Sequence, residues 1–185
     1  AYGISKVDSW GYYRGGTNSI TATPSFGIYI PSVIYMKKGV LSSICYPTGG
    51  RSNFDYEYNS YSKVVSDKSH SILNHYWNPS GGLRIKEIQN IDKDGATTSI
   101  TRYHYKENIG DADCKRSGIS KGRPCIKYSI QQGDLTYVQA SEGGMFPDIT
   151  NYNSPDGGYS CVIEETLDSA KVSQGYIKYR YSNYD

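Results

Sequence analysis

The sequence predicts an all-β fold: antiparallel β-hairpins in a twisted sheet or sandwich with long loops. Three observations carry that expectation. Twenty tyrosines supply most of the aromatic residues, and a flat ring with a wet hydroxyl suits a pleated, half-exposed surface. Twenty glycines and seven prolines give frequent turns, while no stretch of about 12 residues sustains a helical apolar stripe. Finally, one phrase occurs three times: a hydrophobic strand, a Gly- or Asp-marked turn, then a strand closing on Tyr-x-Tyr. Its copies end at Tyr56-Glu57-Tyr58, Tyr103-His104-Tyr105 and Tyr179-Arg180-Tyr181. The 185 residues suit a single β-rich domain spanning 1–185, with hairpin units at about 39–61, 81–107 and 159–183. The abrupt start at Ala1-Tyr2-Gly3 is compatible with a fragment cut from a longer precursor.

In chain order, residues 26–36 hold Ile28, Ile30, Val33 and Ile34 and read as a strand that Pro31 interrupts, because proline cannot donate to a ladder. Residues 41–46 and 52–58 flank the turn Pro47-Thr48-Gly49-Gly50, with Phe54, Tyr56 and Tyr58 on one face and Asp55 and Glu57 on the other. The serine-rich stretch 62–78 has no periodicity and is expected to leave the sheet as a long excursion. Residues 83–91 and 97–106 flank Asp92-Lys93-Asp94-Gly95, a hairpin signal because glycine accepts positive φ. Thr101, Tyr103 and Tyr105 then share a face, opposite Arg102, His104 and Lys106. Residues 126–130 and 135–139 suggest a further hairpin, and 159–167 with 175–181 form the last. The one-face pattern of the Tyr-x-Tyr residues implies a core, and the Arg102 face implies a solvated surface.

A net charge of +2 from 20 basic and 18 acidic residues offers no electrostatic basis for a nucleic-acid partner. No apolar run approaches the roughly 18 residues a membrane helix needs. The even count of four cysteines suits an exported protein. Cys114 and Cys125 bracket a polar segment, 115–124, that a disulfide could close, contributing about 2–3 kcal/mol; Cys45 with Cys161 is the less favoured pairing, and spacing alone does not fix either. No C-x-x-C pair or Cys/His spacing points to a metal, and no cofactor is expected.

Several residues invite a functional reading and are better explained structurally. Asp92-Lys93-Asp94-Gly95 opens like a calcium loop but lacks the remaining ligands, and Asp111 and Asp113 read as a solvated loop. His70, His75 and His104 have no acid–base context, Cys45 reads as a buried small side chain or disulfide partner, and the pairs Asp55/Glu57 and Glu164/Glu165 lack a general-acid setting. Aromatics carry the strongest binding signal: Trp10, Tyr12, Tyr13 and Trp77 lie in polar surroundings where a ring could stack on a sugar or a protein partner.

The phrases Trp10-Gly11-Tyr12-Tyr13-x-Gly15, Tyr46-Pro47-Thr48-Gly49-Gly50, Gly81-Gly82-Leu83-Arg84-Ile85-Lys86 and the closing unit from Gly158-Tyr159 to Tyr181-Ser182-Asn183 resemble large exported proteins of Bacteroidetes bacteria related to RHS/YD-repeat proteins, over roughly 8–183. That resemblance implies hairpin strips building extended or shell-like sheets. The chain lacks the Asp-Pro-x-Gly motif of the RHS core; Ser154-Pro155-Asp156-Gly157 is only a turn by comparison. The expectation is a structural or adhesive β-repeat segment of a secreted or cell-surface bacterial protein, without catalysis of its own, whose partners are other segments of its parent and a surface glycan or protein. A carbohydrate-binding module using the exposed aromatics is the alternative, and a glycoside hydrolase-like enzyme the second.

Overall fold

The structure is a computed structural model that describes residues 12, 13, 15, 32–65, 72–110, 117–120, 126–132, 135–141 and 157–182. Trp10, His70, Asp111, Asp113, Cys114 and Cys125 lie outside these residues. The all-β expectation holds. Among the described residues, one short helix, α1 (Val33–Met36), precedes ten strands: β1 (Ser43–Cys45), β2 (Arg51–Val65), β3 (Ile72–Ile91), β4 (Thr97–His104), β5 (Gly118–Ser120), β6 (Ile126–Gln132), β7 (Leu135–Ser141), β8 (Gly157–Tyr159), β9 (Cys161–Leu167) and β10 (Ser173–Arg180). Eight of them form one mixed sheet in the order β10–β9–β4–β3–β2–β5–β8, with β1 also on β2, while β6 and β7 form a separate antiparallel pair.

Three hairpins stand side by side in the large sheet: β1–β2, β3–β4 and β9–β10. The same turn closes each one. Tyr46 N–H donates to Gly50 O and Gly49 N–H to Tyr46 O; Asp92 and Gly95 repeat the pattern with Ala96, and Asp168 and Lys171 with Val172. The fourth position of each turn has positive φ, at Gly49, Gly95 and Lys171, the left-handed residue that lets a three-residue loop follow the strand twist. The Asp92 and Asp168 carboxylates each accept two amides of their own turn at 2.9 Å. Both bonds to Asp92 fall on its Oδ1, inside the turn, which fits its reading as a hairpin residue.

The opposite end of the sheet is curled. β5 runs parallel to β2 through Lys63↔Ile119 and Val64↔Ser120, and β8 pairs with β5. Only Ser160 then separates β8 from β9, which lies on the far side of β4. Ser117 clamps this closure: its N–H donates to Tyr105 O, its carbonyl accepts from Ser160 N–H, and its hydroxyl bonds Cys161 O. Gly118 is required here, because a Cβ would overlap the Ser60 carbonyl oxygen of β2.

Three local expectations are corrected. Residues 33–36, expected as strand, form α1, whose Tyr35 and Met36 amides donate to Ser32 O. Packing of buried Met36 near β2 and β3 overrides the strand preference of Val33 and Ile34. Residues 62–65 and 72–78, the described part of the stretch 62–78, do not leave the sheet. β2 and β3 continue into it as a paired ladder through Lys63↔Asn74, Val64↔Leu73 and Val65↔Ile72, past three register shifts; backbone pairing needs no apolar alternation to persist. Cys45 and Cys161 form no bridge with each other: Cys45 is exposed and Cys161 is buried.

Candidate functional site

Residues in register on neighbouring strands share a face of the sheet. One face carries the rows Asn53, Gln89, Ile100, Leu167 and Asp55, Glu87, Arg102, Glu165, followed by His104 with Ile163. The other carries Phe54, Ile88, Thr101, Thr166 and Tyr103, Glu164, Ile177, with Tyr56 and Tyr179. The sequence expectation assigned the core to the tyrosine face. The structure reverses it. Ile100 and Ile163 are 1% exposed, and Cys161, Glu165 and Leu167 are buried beside them, whereas the tyrosine face is half-buried at Phe54, Tyr56 and Tyr103 and open at Ile177 and Tyr179.

The charges on the inner face are tolerable because each is paired. Arg102 donates to Glu87 Oε2 through Nε (3.0 Å) and NH2 (2.8 Å). His104 Nε2 lies 2.8 Å from Glu165 Oε2. Lys37 and Lys86 reach the two oxygens of Asp55 at 2.7 and 3.2 Å. His104, expected as a solvated surface residue, is therefore half-buried and engaged. Burial pushes the Glu165 carboxyl upward, but hydrogen bonds from Ser173 and His104 and the charges of His104 and Arg102 outweigh it, and the group ends below its ordinary value. In the Ser173–Glu165–His104 series the hydroxyl bonds the carboxylate rather than the imidazole, the wrong order for activating a serine nucleophile.

Arg84 forms the densest node. It is buried, donates through Nε to Glu57 at 2.7 Å and through NH1 to Tyr159 Oη at 2.8 Å, and lies 4.1 Å above the Tyr105 ring and 5.2 Å from that of Tyr159. The two rings are 4.7 Å apart. Tyr105 Oη donates to Ile85 O, and Tyr159 Oη to Asn59. Burial raises the Tyr105 hydroxyl well above its ordinary value despite the Arg84 charge, which works the other way. This cluster ties β2, β3, the end of β4 and β8 together. It serves as a strut, with Nε, NH1 and NH2 of Arg84 each engaged inside the protein.

Of the aromatics singled out from sequence, Tyr12 and Tyr13 are exposed. Tyr13 meets Tyr35 edge-on with ring centroids 5.9 Å apart, and the Tyr12 hydroxyl lies against Gly82. Trp77 falls within β3, with its side chain outside the described residues, as is the whole of Trp10. Sequence reasoning missed the larger apolar surface, which collects at the two edges of the hairpin series that no strand among the described residues occupies. At one edge Leu41, Ile44 and Tyr46 flank β1; at the other Val172, Tyr176, Ile177, Tyr179 and Tyr181 follow β10, with Ile177 58% and Tyr181 52% exposed. The Tyr179 and Tyr181 rings lie nearly parallel, 6.5 Å apart. The signal is present in the repeated Tyr-x-Tyr phrase, whose one-face pattern in sequence reads as a core.

Among the described residues no group of three His, Cys, Asp or Glu is placed to hold a metal ion, and no helix is long and apolar enough to cross a membrane. No family model matches the chain, and neither a curated protein nor a solved structure matches it.

Proposed function

We propose that the chain is a structural or adhesive segment of a secreted or cell-surface bacterial protein, contributing a strip of sheet to a larger assembly. One observation carries this reading: three hairpins with the same turn lie in series, and both ends of the series expose apolar residues on a strand edge. An edge strand is a template for further pairing, and a segment that works within a larger sheet has reason to keep it. The inner carboxylates and the Arg84 donors are committed to ion pairs and ring contacts, which favours a mechanical over a catalytic role. The cell-surface setting draws on the resemblance of the Tyr-Pro-Thr-Gly-Gly and Gly-Gly-Leu-Arg phrases.

Backbone hydrogen exchange tests it. The outward amides of Tyr176, Lys178 and Arg180 are expected to exchange quickly in the isolated chain and slowly in the native material that contains it. Equal, fast exchange in both would end the scaffold reading. The second reading, a glycan-binding module, is favoured by the nearly parallel Tyr179 and Tyr181 rings. Saturable binding on a glycan array, lost in Tyr181→Ala, would put it first.

A further inference from the structure

Every junction between hairpins in this sheet follows one rule. The second strand of one hairpin pairs antiparallel with the first strand of the next: β2 with β3, and β4 with β9. β10 is a second strand and β1 a first strand, and in the described residues each has one side that no strand occupies. We infer that β10 of one copy receives β1 of a second copy, antiparallel and head to tail, so that the hairpin series continues between molecules. This rests on the scaffold reading above and names its partner.

The backbone directions agree with that pairing. Tyr181 N–H donates inward to Ser160 O, so by the two-residue period Tyr179 and Ile177 also point their amides at β9, and Tyr176, Lys178 and Arg180 point outward. On β1, Ser42 O accepts from Phe54 N–H and Tyr46 N–H donates to Gly50 O, which leaves Ser43 and Cys45 pointing outward. The faces agree as well. Tyr176 and Lys178 are in register with the inner-face residues Glu165 and Ile163, and Ser43 and Cys45 with Asn53 and Arg51, on the same face as Asp55. The pairing therefore sets inner face beside inner face and brings Ile44 and Tyr46 alongside Ile177 and Tyr179. Those four are among the large apolar side chains left exposed. Lysine or arginine on an edge commonly guards against such pairing, but here Lys178 and Arg180 lean on Glu107, at 3.3 and 3.7 Å.

The contact is heterologous, which makes it testable by complementation. Tyr176→Pro removes an outward amide of β10 and Ser43→Pro one of β1, both positions where the existing ladder loses no bond. In sedimentation velocity the full chain is expected to show a mass that rises with concentration. Each proline variant alone is expected to stay monomeric, and an equimolar mixture to form a dimer that grows no further. Ile44→Lys and Ile177→Lys replace any proline variant that loses its native circular dichroism and are read the same way. A wild-type chain that remains monomeric at near-millimolar concentration overturns the inference, with the scaffold reading still decided by exchange in the native material. Assembly that survives in Ser43→Pro but not in Tyr176→Pro also overturns it, since that pattern belongs to a two-fold contact between β10 strands.

Discussion

Lys171 occupies the position in its turn that Gly49 and Gly95 occupy in theirs, with φ of +63°. A side chain in that conformation costs about 1 kcal/mol relative to glycine. Its ion pair with Glu87, at 4.0 Å and with Lys171 largely in solvent, offsets little of this. Lys171→Gly should therefore raise stability by about 0.5–1 kcal/mol, read as a higher urea midpoint at unchanged slope. A midpoint that falls would mean the lysine has a role the turn does not explain. The same scale accounts for Cys45. In sequence it resembled a small core residue beside Ile44, yet β1 is a three-residue strand exposed throughout, and nothing in the local pattern records that it lies at the margin of the sheet.

The strut around Arg84 joins separate elements, because Glu57, Tyr105 and Tyr159 come from β2, the end of β4 and β8, and no two are sequence neighbours. Removing one member of a buried pair typically costs about 3–5 kcal/mol. Glu57 keeps 33% of its side chain in water, so Arg84→Ala should cost about 2–3 kcal/mol. Arg84→Lys should recover only part of that, since an ammonium cannot lie flat on Tyr105 while bonding both Glu57 and Tyr159. Equal stability of the lysine variant and the wild type in chemical denaturation would show that charge alone suffices. Hairpins β3–β4 and β9–β10 were legible because an Asp-initiated turn lies between β-rich runs. β5 and β8 were not, being three-residue strands that only distant contacts define. The extension of β2 to Val65 and of β3 back to Ile72 was hidden by serines, which carry no period even where the backbone is paired.

At the scale of the whole molecule, the inner charge network links stability to pH. For Asp55, burial raises the carboxyl, but hydrogen bonds and charge from Lys37 and Lys86 outweigh it and the group ends below its ordinary value, as Glu165 does. A carboxylate whose folded pKa is depressed adds stability above its unfolded pKa, about 4, and loses it as pH falls through the folded value. Stability should thus be flat above about pH 5 and decline below it. Glu165→Gln should flatten part of the acid limb while lowering the plateau, as urea midpoints measured across pH would show. An unchanged acid limb would place the pH dependence elsewhere.

The fold class, the three hairpins, two of their turns in detail and the sharing of a face by Phe54 and Tyr56 were legible in the amino-acid order alone. Each of these follows from short-range physics: turn chemistry at glycine and aspartate, and the two-residue period of a strand. Which face is inside was decided only by tertiary structure. Alternation says that Tyr103 and His104 point in opposite directions, not which of them meets the core. Ile100, Ile163 and Leu167 lie buried on the inner face, and with them Glu165 and part of Arg102 and His104. Those polar groups could go inside because strands far apart in sequence supply their counter-charges. The tyrosines are left half-exposed, and at the β10 edge they face solvent.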